Sequence, residues 1–111
     1  MRPYANTHTW EPKTTTNDWE VLPDDWASRL LKTLTLVIEN TGANSGDVRV
    51  LGSVDGGETY DLTLQSATTI ASGEIVIVDV SRYITDVRIE AKTATLDAPT
   101  DIIARAAGIA V

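Results

Sequence analysis

Few residues in this sequence have the type and spacing that chemistry demands. A single histidine, His8, leaves no His-based metal site and no Ser/His/Asp triad. The absence of Cys removes thiolate zinc sites and disulfide scaffolds. Carboxylates are plentiful, and three groupings of charge stand out. Asp55, Glu58 and Asp61 would offer oxygens to a hard cation such as calcium. Their spacing is not that of an EF-hand and the ligands are too few, so a solvated hairpin tip is the expectation. Glu20, Asp24 and Asp25 lie beside Trp19 and Trp26, which would suit a sugar or a metal. The plainer reading is an acidic helical turn after Pro23, with its tryptophans anchored in a neighbour. Arg82 and Arg88 flank Tyr83 as in an anion pocket, or as surface arginines paired to Asp79, Asp86 or Glu90 around a buried Tyr. No spacing selects two carboxylates for acid–base work. The expectation is a protein that is not an enzyme, with no catalytic residue, metal or cofactor.

What must position these groups is a small all-β domain. The chain has 111 residues, room for one domain. It is rich in Thr, Val and Ile, which suit pleated strands, and it has no Phe. A net charge of −7 argues against binding a nucleic-acid backbone. No apolar run approaches the ~20 residues of a membrane helix, and no signal-peptide core follows Met1.

From Leu30 onward the period is two. Leu34, Leu36 and Ile38 alternate with polar or smaller neighbours, as do Val48, Val50 and Val54, then Tyr60, Leu62 and Leu64, then Val87, Ile89 and Ala91. Residues 74–80 are apolar on both faces, the pattern of a strand in the middle of a packed sheet. The Ala-rich tail from Ile102 supplies a closing strand, inside this domain or under another subunit. Six or so short strands separated by turn signals describe a small antiparallel β-sandwich or jelly roll over residues 30–111. Residues 1–29 show neither period and hold all three Trp, so they are expected to form an extended, Trp-rich N-terminal arm. Trp10, Trp19 and Trp26, with Tyr4, would be interface anchors, although the arm would alternatively fold back to complete its own core.

Ser53-Val54-Asp55-Gly56-Gly57-Glu58-Thr59-Tyr60 fits Ser-x-Asp-x-Gly-x-Thr-aromatic. It resembles the Asp-box of sialidases and related β-propellers, with Tyr60 where Trp is commoner. The resemblance implies a structural turn built on Ser53, Asp55, Gly57, Thr59 and Tyr60. It does not extend to a glycosidase, because the box occurs once and no arginine cluster or nucleophile accompanies it.

The run Gly52–Tyr60 with the later Arg82–Ala91 strand also resembles small virion proteins of tailed bacteriophages. That resemblance covers about residues 30–110. It implies a capsid decoration or cement protein, made in the host cytoplasm and resident in the virion. Such a protein would self-associate, with a trimer favoured, and bind a major capsid or other virion protein through its arm. Deleting residues 1–29 would then leave a folded domain unable to assemble. The alternative is a carbohydrate-binding or host-adhesion module of a tail fibre, a baseplate or a secreted enzyme.

Overall fold

A computed structural model describes residues 5–23 and 25–110. Among them there is no helix, and the strands are β1 (Ala5–Thr14), β2 (Glu20–Val21), β3 (Trp26–Asn40), β4 (Gly46–Ser53), β5 (Leu62–Ile70), β6 (Ile75–Val80), β7 (Ile84–Thr93) and β8 (Asp101–Ala110). The all-β expectation holds. Every pairing is antiparallel, in the order β1-β8-β3-β7-β4-β5, with β2 beside β7 and β6 beside β3.

The long strand makes this one sheet into two layers. β3 runs for fifteen residues, long enough to serve both layers, and an irregularity in its pairing marks the break between them. Its first part pairs with β7, from Trp26 opposite Val87 to Leu31 opposite Ile84, with a register shift between Ala27 and Leu31. Its second part pairs with β8 on one side and β6 on the other. One layer is therefore β1-β8-β3-β6 and the other is β3-β7-β4-β5, a sandwich hinged on a shared strand.

Alternation then sets the core. Leu34, Leu36 and Ile38 face inward beside Val80 and Val78 of β6 and beside Gly108, Ala106 and Ala104 of β8. They meet Val48, Val50, Ile89 and Ala91 of the other layer in one cluster. The small residues of β8 serve packing. A Cβ on Gly108 would come within 2.9 Å of the Thr33 carbonyl oxygen and 3.0 Å of Leu31.

Four expectations need correction. The segment read as a separate arm is woven into the sheet from Ala5 onward, because its apolar groups are the ones that close the core. Trp10 is 1% exposed, opposite Ala104, and Leu22 and Trp26 join the same cluster. The helical turn after Pro23 is instead the start of β3, where Trp26 must point inward against β7. Val54 leaves the face of Val48 and Val50 to sit exposed in the turn after β4. Finally, β6 is not a central strand, since among the described residues it pairs with β3 alone.

Candidate functional site

The Asp-box residues build a closed turn between β4 and β5. Ser53 Oγ donates to Asp55 Oδ1 at 2.6 Å and accepts the amides of Asp55 and Gly57 at 3.2 and 3.0 Å. Asp55 Oδ1 accepts the amides of Glu58 and Thr59, and the Thr59 hydroxyl donates to Oδ2 at 2.5 Å. Gly56 and Gly57 take φ of 77° and 90°, a region L side chains rarely adopt. With both carboxylate oxygens engaged, Asp55 is a turn-former and is held well below the usual carboxylate range, first by the Ser53 hydroxyl and then by that of Thr59. A depressed folded pKa contributes stability above the ordinary Asp value, about 3.9, and loses it as pH falls below that. Asp55→Asn is thus expected to lower stability at neutral pH and to flatten the acid loss below about pH 4, read by urea midpoints across pH. Ser53 is fully buried, so Ser53→Ala strands two amides and is expected to cost about 1–3 kcal/mol in the same assay.

Beneath the turn, Tyr60 stacks on the Arg88 guanidinium, 4.0 Å from its ring centroid. Arg88 donates from Nε and Nη2 to Asp25 Oδ2 at 3.0 and 2.7 Å. Burial, then the charges of Asp25 and Asp86, push the Tyr60 phenol up to about 12. Further along this outer face, Arg49 pairs with Glu90 at 2.6 Å and lies over the Trp19 ring at 4.2 Å, with Lys92 at 5.4 Å.

The proposed sugar or metal cluster is therefore not assembled. Asp25 is committed to Arg88, Glu20 to Lys13 at 2.9 Å, and Asp24 lies outside the described residues. Trp19 is roofed by cations, while Trp10 and Trp26 pack with His8 in the core. Tyr4 also lies outside the described residues. Among those described, no group of three His, Asp or Glu side chains is placed to hold a metal ion. Tyr83 is exposed rather than buried, and Arg88 pairs with Asp25 instead of Asp86 or Glu90.

The other layer presents a different outer face, which the sequence reading missed. Across β1-β8-β3-β6 the register places Thr7, Ala107, Thr35 and Asp79 in one row. Thr9, Arg105, Val37 and Ile77 form the next, followed by Ile103, Glu39 and Ile75. Ile75 is 50% and Ile77 63% exposed, and Ile109 lies exposed at the far end of β8. The signal was available in residues 74–80, whose apolar side chains on both faces require either a central position or a cover from outside.

No protein-family profile matches the chain, and no curated protein matches its sequence. Solved structures resemble it in fold. A chain from the disulfide-linked pili formed by Bacillus endospore appendages superposes with a TM-score of 0.55 and 12% identity, over 96% of this chain and 87% of that one. The likeness is one of fold. The SPBc2 prophage-derived protein YomS aligns at 16% identity and a TM-score of 0.46, over 90% of this chain and 94% of its own. A chain of the T13 particle of infectious bursal disease virus aligns at 12% and 0.45, over 96% of this chain and only 31% of the viral one.

Proposed function

We propose that this chain is a non-enzymatic structural subunit of a tailed-phage particle, a capsid decoration or cement protein that self-associates and docks on a capsid lattice. The observation that carries this reading is the contrast between the two outer faces. One is closed by the chain's own Trp19, Asp25 and Tyr60, while the other leaves Ile75, Ile77 and Ile109 uncovered beside Val37 and Ile103. An uncovered β-branched face is costly in water and is kept where another surface covers it. A lattice would supply many copies of that surface, so contacts too small to hold one pair would act together. The pilus chain, an assembly subunit on the same fold, agrees with this reading, although the present chain has no Cys for disulfide links. The net charge of −7 keeps free subunits apart until such a lattice is present.

Sedimentation velocity from dilute to concentrated protein tests the self-association, and mass spectrometry of purified particles tests the location. Reversible oligomers and a place in the particle are expected. A monomer at every concentration that is absent from particles would sink the proposal. A protein whose Trp fluorescence responds to glycans would favour the adhesion reading instead.

A further inference from the structure

Among the described residues, three strands, β1, β5 and β6, leave one long edge unpaired, and they are not alike. β1 carries Glu11, Pro12 and Lys13 at a break in its register with β8. β5 shifts register twice against β4 and turns Gln65 and Thr68 onto each other and onto the Ser66 carbonyl. Bulges, Pro and charge are the usual devices that keep an edge from pairing. β6 has neither bulge nor Pro. Its residues, Ile-Val-Ile-Val-Asp-Val, pair with β3 in unbroken register, and its one charge, Asp79, accepts from Thr35 on its own sheet at 2.7 Å.

The ladder fixes which backbone groups are open. The Asn40 amide donates to the Glu74 carbonyl at 3.0 Å, while the Asn40 carbonyl takes the Gly73 amide at 2.9 Å, so the Glu74 carbonyl lies on the side of the strand that bonds β3. By the antiparallel alternation, Val76, Val78 and Val80 bond to β3, and the N–H and C=O of Ile75, Ile77 and Asp79 point to the free edge. These are also the residues whose side chains stand on the uncovered outer face.

We infer that the β6 edge pairs with β6 of a second copy, antiparallel about a two-fold axis at Ile77. This rests on the self-association proposed above and says where it occurs. The edge complements itself in that register. Ile77 meets Ile77, Val76 meets Val78, and each Asp79 lies across from Ile75 rather than from the other Asp79, so like charges do not oppose. A shift by one residue would put inward valines opposite outward isoleucines and is excluded by the pleat. The two four-stranded layers become one eight-stranded sheet, in which the Val37–Ile77 row of one copy runs on into Ile77 and Val37 of the other. Such a contact is isologous, giving a dimer or linking larger rings in pairs, where the expected trimer would need a heterologous contact.

The native lack of Cys makes a crosslinking test clean. Ile77→Cys in the full chain is expected to form a disulfide dimer on mild oxidation, because directly opposed residues lie within disulfide range. Val54→Cys, similarly exposed in the turn after β4, is expected to stay monomeric on gels. Ile77→Pro removes an N–H that β3 does not use, so it is expected to keep native Trp emission and lose self-association in sedimentation. If the native protein self-associates but Ile77→Cys crosslinks no better than Val54→Cys and Ile77→Pro is without effect, the edge inference is overturned and self-association stands. If Ile77→Pro loses particle binding alone, the edge takes a foreign strand, and the second-copy assignment is overturned. A native protein that is monomeric throughout overturns both.

Discussion

A chain beginning at Leu30 is expected not to fold. Removing residues 1–29 takes away β1, β2 and the first part of β3, and with them Trp10, Leu22 and Trp26 from the core. Losing a buried Trp side chain alone costs about 3–5 kcal/mol, and a small domain holds roughly 5–15 kcal/mol in all. The whole β1–β8 ladder and the Arg88–Asp25 ion pair go too. Far-UV circular dichroism with a urea titration checks this, the expected result being no cooperative transition. A folded, cooperative truncated chain would restore the picture of a separable arm. The milder Trp10→Ala is expected to lose about 3–5 kcal/mol, read from the urea midpoint.

Asn40→Ala is expected to be the most damaging polar substitution. Asn40 is fully buried at the end of β3, where it ties together two connections and the end of β5. Its Nδ2 donates to the carbonyls of Asn44 at 2.7 Å and Ile70 at 2.9 Å. Its Oδ1 accepts the Gly42 amide at 3.0 Å and the Thr100 hydroxyl at 2.6 Å. Each partner left buried and unpaired costs on the order of 1–3 kcal/mol, so a loss of about 3 kcal/mol or more follows. Asn40→Asp, which keeps Oδ1 but loses both donors, is expected to recover little. Urea midpoints check both, and a loss well under 1 kcal/mol for Asn40→Ala would mean that water replaces the side chain.

The period-two segments were legible in the sequence because each has one wet face. Val87, Ile89 and Ala91 lie buried as expected, and Ile102 opens an inner strand of this same domain. The Ser53–Tyr60 turn was legible because its geometry needs particular side chains at fixed offsets. The N-terminal segment was not, since β1 has a single large apolar residue facing inward, Trp10, with Asn6 and His8 completing its inner row. Such a strand has no apolar alternation to read, and its place depends on β8, some ninety residues away. The hub role of Asn40 was hidden for the same reason, because its four partners come from the β3–β4 loop, the end of β5 and the β7–β8 loop. The edge position of β6 could not be read from a run that is apolar on both faces, since a buried neighbour and a second copy would leave the same imprint.

Hydrogen–deuterium exchange of the intact chain, dilute and then concentrated, tests the account most directly because it reads association and its location together. The amides of Ile75, Ile77 and Asp79 are expected to exchange quickly when dilute and to gain protection on concentration, while β5 and the unpaired edge of β1 do not change. Exchange at β6 that is independent of concentration, with protection appearing elsewhere or nowhere, would contradict it.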